Sequence, residues 1–402
     1  MLLGFIILDL LHNRKNLISI IITFLFIIAT IIQLCFLFIL RERKQFNRLE
    51  RSTNLIPVSI VICAKNESEN LEQFLPFVLD QDYPKDSFEV IVVNDQSTDD
   101  SKEFLANFAQ QSPNLNIINI PSEEVKILPG KKYALSKGIE AAKYERLLLT
   151  DADCKPVSNQ WLQIMSTSHI SHLTSHILLG YGAYETRTGL LNKFIRWETV
   201  HTCMQYASYA AMGLPYMGVG RNLSYDKSLL KETENDISFQ ETYRQTPSGD
   251  DDLLISKIAT SENTTVTLNK EAHTISVPQT TWKTWWKQKT RHGSTGKYYP
   301  KKVKILLGLY ALTHCLYWFL GIPLMLFGIE NWKSESGNYF LTFDIFLFLL
   351  RFFLYWFNAA KWYQQLNEKK ILLFYPLGDL GWAIYNVLLS PYIFWKNKQA
   401  WK

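Results

Sequence analysis

The sequence contains few cysteines, and no two of them stand close enough together to suggest a shared role. The five cysteines among its 402 residues are Cys35, Cys63, Cys154, Cys203 and Cys315. Because there is no CxxC pair, neither a zinc site nor a disulfide framework is predicted. A reducing compartment such as the cytoplasm suits a chain of this kind.

Glycine-rich phosphate-binding motifs are also missing. No GxGxxG follows a predicted strand, which argues against a dinucleotide cofactor. The first predicted strand-to-helix turn, CAKNESEN at 63–70, lacks the glycine-rich, basic character of a nucleotidyltransferase loop, so that class is a weaker candidate.

Long hydrophobic runs are confined to the two ends of the chain. Residues 17–40 form a run of about 24 residues, enough at ~1.5 Å per residue to cross a bilayer. No small-residue cleavage site follows this run; the basic residues after it are Arg41, Arg43, Lys44, Arg48 and Arg51. We therefore predict an N-terminal membrane anchor over 1–51, with the chain continuing on the cytoplasmic side.

Residues 305–402 contain further hydrophobic segments, at about 305–329, 339–360 and 371–395. The first two predict a membrane hairpin with both ends in the cytoplasm, because lysines flank the hairpin and its link is not basic. Prolines and glycines interrupt the third segment, so a spanning helix and a broken interfacial helix both stay open, as does the side of the C-terminus. The net charge of +5 comes mainly from the flanking lysines and arginines, which favours membrane lipid over nucleic acid as a partner.

The middle of the chain, 52–277, predicts one cytoplasmic α/β domain. Apolar runs at 58–64, 88–95, 114–120 and 146–153 predict strands, and helical spacing separates them. Alternating strands and helices predict a doubly wound, Rossmann-like parallel sheet. A following segment, 278–304, interleaves tryptophans with lysines, which predicts an amphipathic helix at the membrane interface; a buried aromatic helix with a basic outer face is the alternative.

Aspartates end two of the predicted strands and recur further along the chain. Asp95 ends the second strand, Asp151 and Asp153 end the fourth, and a run at 250–252 follows later. The carboxyl edge of an open α/β sheet is where ligands bind, so the first two groups should lie near each other at that edge. Two carboxylates two residues apart can hold Mg²⁺ or Mn²⁺ through oxygen ligands, although a solvated turn or a helix cap would also explain them.

Several segments in register resemble family 2 glycosyltransferases of the GT-A fold. In chain order they are VSIVICAKNESENL (58–71), VIVVNDQSTDDS (90–101), GKKYALSKGI (130–139), LLLTDADC (147–154), GVGRNLSYDKSLL (218–230), SGDDDLLI (248–255) and QKTRH (288–292). The resemblance covers residues 57–300 and implies an inverting, metal-dependent enzyme. Its donor is expected to be a nucleoside-diphosphate sugar, with a UDP-sugar as first choice, and its acceptor a lipid or glycan presented at the membrane.

The resemblance also implies roles for single residues in the donor site. Asp95 would bind the base or ribose, or cap the next helix instead. Asn66 and Glu67 would shape the nucleoside pocket, with a capping role as the alternative. Lys131 would offer a cation to the base carbonyl or the diphosphate. The other donor residues are Gln288, Arg291 and Asp151, and Asp151 would hold the metal together with Asp153.

The catalytic base is expected in the acidic run. Aligning Leu253 with the final leucine of the family's ED-x-DL pattern makes Asp250 the base, with Asp251 as the fallback because Gly249 stands where a glutamate is usual. His292 likewise replaces the tryptophan of QxxRW. Three alternatives stay open at this point: a processive polysaccharide synthase, a catalytically inactive nucleotide-sugar-binding scaffold, and a helix N-terminus that merely attracts acidic residues. The predicted location is a bacterial inner membrane.

Overall fold

A computed structural model of the chain describes residues 2–41, 46, 55–166, 169–170, 173–174, 176–330 and 337–394. Of the predicted basic flank after the first hydrophobic run, Arg43, Lys44, Arg48 and Arg51 lie outside these residues. The strands are β1 Val58–Ala64, β2 Phe88–Asp95, β3 Leu115–Ile120, β4 Arg146–Asp151, β5 Cys154–Pro156, β6 His169–Ile170, β7 Leu173–Thr174, β8 Ile177–Leu179, β9 Gly182–Tyr184, β10 Leu223–Asp226, β11 Thr264–Val266 and β12 Thr274–Ser276.

Thirteen α-helices lie among the described residues, before, between and after these strands. They are α1 Leu2–Ile39, α2 Ser68–Leu79, α3 Ser101–Ala109, α4 Lys132–Ala141, α5 Trp161–Ser166, α6 Leu190–Ala211, α7 Lys231–Glu234, α8 Ile237–Gln245, α9 Asp252–Ile258, α10 Trp282–Gly293, α11 Lys301–Glu330, α12 Gly337–Gln365 and α13 Tyr375–Phe394.

The main sheet has seven strands in the order β11-β8-β10-β4-β1-β2-β3. β3, β2, β1 and β4 are parallel neighbours, which confirms the predicted α/β sheet. β10 runs antiparallel to both β4 and β8, so the sheet is mixed and the expectation of an all-parallel sheet is corrected. Every residue of β1 and of β2 is buried, as expected for central strands that are covered on both faces.

The register of the central strands places the acidic residues at one edge. Cys63 near the end of β1 lies opposite Asp151 at the end of β4, and Ala64 lies opposite Asn94 in β2. A second sheet has the strand order β5-β12-β9, and its strand β5 follows β4 directly in the chain. Asp153 stands in the turn between β4 and β5 and is therefore held between the two sheets.

Glu67 takes the N-cap position of α2, one of the positions that the sequence offered, and Asp100 takes that of α3; neither side chain forms a capping hydrogen bond. The Asn66 side chain accepts a hydrogen bond from the backbone N–H of Thr98, 2.7 Å away, and so ties two strand-to-helix turns together. Because α3 begins only at Ser101, Asp95 does not cap it.

Four helical segments among the described residues are long and apolar enough to cross a membrane. They are Ile20–Ile39, Lys301–Leu326, Phe343–Gln365 and Lys369–Tyr392. In the third hydrophobic segment the break that the sequence left open is absent from α13, which runs as one helix from Tyr375 to Phe394. Its glycines permit close packing: a Cβ at Gly378 would lie 2.5 Å from the ring of Trp197 in α6.

Buried polar side chains join these helices to each other. Arg351 in α12 is fully buried and lies 2.5 Å from the Asp379 carboxylate in α13. It also donates a hydrogen bond of 3.0 Å to Gln33 in α1, the residue that interrupts the first hydrophobic run. Charged groups inside an apolar bundle are tolerated when they are paired, so this network specifies how α1, α12 and α13 assemble.

The segment 278–304 docks through part of its aromatic face. Trp285 of α10 is 3% exposed and packs on Phe194 of α6 and Tyr385 of α13. Trp282 remains 49% exposed. The helix therefore uses Trp285 to pack against α6 and α13, and of these two tryptophans only Trp282 is available to contact membrane headgroups.

Candidate active site

A cavity of about 1050 Å³ opens at the carboxyl ends of β1 and β4. Its volume reaches the upper end of the ~300–1,000 Å³ range of small-molecule sites. It contains the predicted Glu67, Lys131, Asp151, Asp153, Asp250, Asp251, Gln288 and Arg291. The sequence thus predicted residues from five separate segments that the fold brings to one place.

Asp151 and Asp153 form the part of the cavity that could hold a metal ion. One oxygen of each, together with the Cys154 sulfur, lies within 4.8 Å of the others. Burial, together with the negative charges of Asp153 and Asp151, raises the pKa of the Cys154 thiol, so the carboxylates are the better ligands for a hard cation. Burial, followed by the charge of Asp151, raises the pKa of Asp153 to about 6, a repulsion that a bound cation would relieve. The two carboxylates therefore fit Mg²⁺ or Mn²⁺.

Lys131 connects the metal-binding carboxylates to the acidic run. Its ammonium group forms an ion pair with Asp151 and lies 3.8 Å from Asp250. Burial alone would lower the pKa of Lys131, but Asp151 and Asp250 outweigh it and the pKa is raised. Lys131 is the N-cap residue of α4, so a fixed cation stands where the two acidic groups meet.

The three aspartates of the acidic run have different surroundings. Asp252, the first residue of α9, accepts hydrogen bonds from the hydroxyls of Thr295 at 2.5 Å and Tyr299 at 2.7 Å. Asp251 accepts from the backbone N–H groups of Gly220 and of Asp252, both at 2.7 Å. The run is therefore not a solvated helix end, because two of its members are bound to neighbouring segments.

Asp250 differs from its two neighbours in having no hydrogen bond from the described backbone or hydroxyl groups. Its side chain is 14% exposed, and its ion-pair partner among the described residues is Lys131 at 3.8 Å. Gly249 before it has a φ of +88°, and a Cβ there would lie 2.5 Å from Leu253. A glutamate in the place of Gly249 would be strained in this backbone conformation, which explains why the sequence departs from the family pattern at that position.

Burial and the charges of Asp250 and Asp252 raise the pKa of Asp251 to about 7. This value would suit a general base. However, both Asp251 oxygens already accept backbone hydrogen bonds, whereas Asp250 has an oxygen available for a substrate. The geometry therefore favours Asp250 as the base and Asp251 as the residue that shapes the loop.

The structure adds a residue that the sequence analysis did not single out. Arg221 lies in the cavity, donates to the carbonyl of Gly182 at 2.7 Å and to the Tyr184 hydroxyl at 2.9 Å, and covers the Tyr184 ring at 4.4 Å. These contacts fix a guanidinium beside the metal-binding carboxylates. Arg221 lies inside the segment GVGRN at 218–222, whose sequence resembles the family motif but does not by itself indicate a role for the arginine.

α10 supplies the QxxR side chains to the cavity. Gln288 and Arg291 both line it, as does His292. On the same helix Lys289 forms an ion pair with Glu198 of α6. This buried pair, together with the packing of Trp285, holds the helix against α6.

Two predicted donor residues stand apart from the cavity lining. Asn66 has a φ of +55° and is engaged with Thr98. Asp95 is fully buried and its carboxylate lies 2.7 Å from the ammonium group of Lys126. The structure thus brings Glu67 into the cavity and leaves these two residues beside it.

The cavity continues from the acidic groups to the membrane helices. Its lining includes residues of α11 and α13, namely Leu307, Gly308, Ala311, Leu312, Cys315, Trp382, Tyr385, Asn386, Val387 and Ser390. Most of these side chains are apolar or aromatic. One open space therefore contacts both the charged site and the hydrophobic bundle.

Paired carboxylates at the end of a central parallel strand, an opposed acidic loop and the cavity between them are the arrangement expected of a domain with the GT-A fold. The profile of glycosyl transferase family 2 matches residues 59–232. The chain therefore carries a family 2 glycosyltransferase domain, as the sequence motifs predicted.

Characterised relatives agree with this assignment. Glycosyltransferase AglE of Haloferax volcanii is 38% identical over 112 residues, 28% of this chain and 35% of AglE. The probable glycosyltransferase YdaM of Bacillus subtilis is 24% identical over 268 residues, 62% of this chain and 57% of YdaM. The beta-monoglucosyldiacylglycerol synthase of a Nostoc species is 25% identical over 138 residues, 34% of this chain and 29% of that enzyme.

The chain thus spans 29% to 57% of the length of these relatives. Among solved structures, the mannosyltransferase PcManGT from Pyrobaculum calidifontis in complex with GDP-Man and Mn²⁺ has a TM-score of 0.53 and 16% identity, covering 92% of this chain and 98% of that one. At this identity the similarity concerns the fold. Together the family profile and these relatives assign the matched segment to the family 2 glycosyltransferases.

Proposed function

We propose that this protein transfers a sugar from a nucleoside-diphosphate sugar to a lipid-linked acceptor held in the membrane, with inversion at the anomeric carbon. The observation that carries the proposal is the single cavity that joins the acidic site to α11 and α13. A soluble acceptor would have no need of an apolar extension between membrane helices.

The donor would lie along the charged end of the cavity. Asp151 and Asp153 would hold Mg²⁺ or Mn²⁺, which neutralises the charge developing on the diphosphate. Lys131, Arg221 and Arg291 add positive charge around the same volume. PcManGT was solved with a nucleotide sugar and Mn²⁺, which supports a donor of this class.

Asp250 would act as general base. The acceptor hydroxyl attacks the anomeric carbon while the bond from that carbon to the terminal phosphate oxygen breaks. The nucleoside diphosphate leaves with the bonding electrons, and the hydroxyl proton passes to the Asp250 carboxylate. Lys131 pairs with Asp151 and lies near Asp250, so its charge is positioned to stabilise the leaving diphosphate.

The acceptor would enter from the membrane side. α6 presents Glu198, Thr202 and Gln205 to the cavity; these positions recur on one helix face and offer hydrogen bonds to hydroxyl groups. Leu312 and Val387 line the apolar end. This combination suits a lipid with a polar or glycosylated head, and the name of the Nostoc relative, a glucosyldiacylglycerol synthase, is consistent with such an acceptor.

Four candidate spans and a catalytic domain between the first and the second of them support an integral membrane protein. The lysines in the first turn of α11, together with Lys297 just before it, favour a cytoplasmic position for the domain. In a bacterium this would be the inner membrane, where nucleotide sugars are available on the cytoplasmic side.

The proposal is tested by incubating purified full-length protein in lipid nanodiscs with a panel of nucleotide sugars and Mn²⁺. We expect one donor to be hydrolysed slowly. In Asp153→Ala we expect weaker Mn²⁺-dependent donor binding to be the first effect, seen as a higher dissociation constant for the donor. A product one sugar long supports single transfer, whereas a ladder would indicate a processive synthase. If no nucleotide sugar is bound or hydrolysed, the proposal is wrong, whereas binding without hydrolysis or transfer would indicate a catalytically inactive scaffold.

A further inference from the structure

The short connection between α10 and α11, residues 294–300, contacts the acidic run. Thr295 and Tyr299 of this connection both donate hydroxyl hydrogen bonds to Oδ2 of Asp252, over 2.5 Å and 2.7 Å. The Thr295 hydroxyl also lies 2.7 Å from the carbonyl oxygen of His292, but the carboxylate is the nearer and the charged acceptor. Thr295 has no exposed surface and Asp252 is 8% exposed, so water has little access to these bonds. One carboxylate oxygen therefore holds the connection at two points.

The rest of Asp252 is bound to the acidic run itself. Its Oδ1 accepts the backbone N–H of Leu253 at 2.8 Å, and its own N–H donates to the Asp251 carboxylate at 2.7 Å. A displacement of the Asp252 carboxylate would therefore move the backbone close to Asp250.

Lys132 holds the same loop on the other side of Asp250. Its side chain is 1% exposed, and its ammonium group donates to the backbone carbonyls of Tyr243 at 2.7 Å and Thr246 at 2.8 Å. Asp250 thus stands between two fixed points, Thr246 and Asp252. A loop that is held on both sides has fewer conformations than one that is held on one side, so loss of either contact would widen the range of positions open to the Asp250 carboxylate.

The connection also leads to the apolar end of the cavity. Tyr299 lines the cavity, and α11, which begins at Lys301, contributes Leu307 and Ala311 to the same lining. The ring of Tyr299 packs edge-on against Tyr216, with ring centroids 5.3 Å apart. One segment is therefore joined to the acidic run through its hydroxyls and to the helix that lines the proposed acceptor site through the chain.

We propose that Asp252 is a positioning residue for sugar transfer: through the hydroxyls of Thr295 and Tyr299 it fixes the base, Asp250, relative to α11 and to the acceptor bound there. Asp252 does not receive the acceptor proton, because both of its oxygens already accept hydrogen bonds. This inference rests on the proposed function. It adds the requirement that the connection keep its two hydroxyls if Asp250 is to meet the hydroxyl of the acceptor.

The experiment compares Thr295→Val, which removes the hydroxyl and keeps the size of the side chain, with Thr295→Ser, which keeps the hydroxyl. The full chain in nanodiscs made from lipid extract is assayed for the rate of transfer (kcat) with the nucleotide sugar that the panel identifies, and for its affinity by calorimetry. Thr295→Val should lower kcat about tenfold or more, since a small misplacement of a reacting group costs up to ~10²-fold. The donor dissociation constant should stay within about twofold, because the lost interaction matters only in the transition state.

Thr295→Ser should retain most of the transfer rate. Tyr299→Phe is the second variant, because it removes the other hydroxyl and leaves the ring packed on Tyr216; it should also lower kcat and spare donor affinity. Thr290→Val is the matched control. Thr290 is 6% exposed, but its hydroxyl contacts the carbonyls of Trp286 and Lys287 in its own helix, so this variant should keep its kcat.

A purely structural role for these contacts gives a different pattern. Thr295→Val and Thr290→Val would then lower the melting temperature and kcat by similar amounts, or Thr295→Val would weaken donor binding as much as it slows transfer. Either result, or a normal kcat in both Thr295→Val and Tyr299→Phe, overturns the inference and leaves the proposed transfer intact. If the unmodified protein transfers no sugar, the proposed function is wrong and the inference falls with it.

Amide hydrogen exchange over 246–253 is the second measurement, and it does not depend on turnover. The backbone N–H groups of Asp252 and Leu253 should exchange faster in Thr295→Val and in Tyr299→Phe than in the unmodified protein. In Thr290→Val they should exchange at the unmodified rate. Unchanged exchange in both hydroxyl variants would show that the connection does not hold the loop, which also overturns the inference.

Discussion

Asp250 and Asp251 differ in what their oxygens already contact, and this difference separates their roles. Asp251 accepts two backbone hydrogen bonds, whereas the described ion-pair partner of Asp250 is Lys131 at 3.8 Å. A residue whose oxygens are engaged holds the backbone in place, and one with an available oxygen can receive a proton. The roles can therefore be tested by the same substitution at both positions.

Asp250→Asn should lower the rate of sugar transfer by ~10²–10⁴-fold and leave donor affinity within a few-fold, because the general base is lost and the metal ligands are kept. Asp251→Asn should lower transfer less and also reduce stability. Transfer rates from labelled donor and calorimetric donor affinity check both. If Asp250→Asn transfers at the normal rate, Asp251 is the base.

The pH dependence of stability follows from Asp251. Its pKa in the folded protein is raised to about 7 from an ordinary value of 3.8, so between these values the folded protein binds more protons than the unfolded chain. Its contribution to stability is therefore present below pH ~4 and is lost as the pH rises toward 7. Asp251→Asn should flatten the fall in melting temperature between pH 5 and pH 8.

Asp80→Asn is the control for this experiment, because Asp80 is exposed at the C-terminal end of α2. It should leave the pH profile of the melting temperature as it is in the unmodified protein. A profile for Asp251→Asn as steep as that of the unmodified protein would mean that Asp251 is ionised throughout this range.

At the scale of single elements, the sequence predicted the parallel part of the sheet well and the rest less well. β1, β2 and β4 were recognisable because each is a largely apolar run, and β2 and β4 also end in an aspartate. β8, β10 and β11 have three or four residues each, and their pairing depends on partners far away in the chain. Short strands of this kind have no local signal that distinguishes them from loops.

The site was predictable to a similar degree. The acidic residues and Lys131 follow strands or begin helices, so their positions could be derived from the fold. The function of Arg221 could not, because it depends on Tyr184 and on the Gly182 carbonyl across the second sheet. The engagement of Asp95 by Lys126 likewise depends on a loop whose path the sequence does not specify.

Gly249 should be intolerant of a side chain. Gly249→Ala should lower the free energy of unfolding by at least ~1–2 kcal/mol, the cost of a left-handed alanine, and should reduce transfer because the added Cβ would meet Leu253 at 2.5 Å. Gly189→Ala is matched to it, with a φ of +100° and open space around the Cβ. Thermal unfolding and transfer rates distinguish them: equal losses of activity would show that backbone strain alone matters.

α10 is positioned by packing, and a comparison of the buried Trp285 with the exposed Trp282 allows this to be measured. Trp285→Ala should lower the free energy of unfolding by ~3–5 kcal/mol, as for other buried tryptophans, and should weaken donor binding because Gln288 and Arg291 lie on the same helix. Trp282→Ala, at a side chain that is 49% exposed, should cost much less. Similar costs would mean that α10 is not held through Trp285.

At the scale of the whole molecule, one cavity extends from the acidic residues at the sheet edge to the apolar helices α11 and α13. Its acidic end carries the carboxylates proposed to hold a cation, and its other end reaches α11 and α13 in the bundle that Arg351, Asp379 and Gln33 hold together. In the proposed function these two helices therefore do more than anchor the domain, because they form part of the acceptor site.

Filling the apolar end should separate the two substrates. Leu312→Trp should lower transfer to lipid by tenfold or more and leave Mn²⁺-dependent donor hydrolysis unchanged, because Leu312 lines the cavity from α11, whereas Asp151 and Asp153 line it from the end of β4. Leu326→Trp is the control, since Leu326 is exposed on the same helix and lies outside the cavity lining. Equal transfer by both variants would exclude this route for the acceptor.

The most direct test of the central claim is the partition of labelled sugar after a reaction in nanodiscs made from lipid extract. We predict that the label moves from the nucleotide into the organic phase in a reaction that needs Mg²⁺ or Mn²⁺ and that Asp250→Asn abolishes. Label that stays in the aqueous phase, while the donor is turned over at the same rate with and without lipid, would contradict transfer to a membrane acceptor.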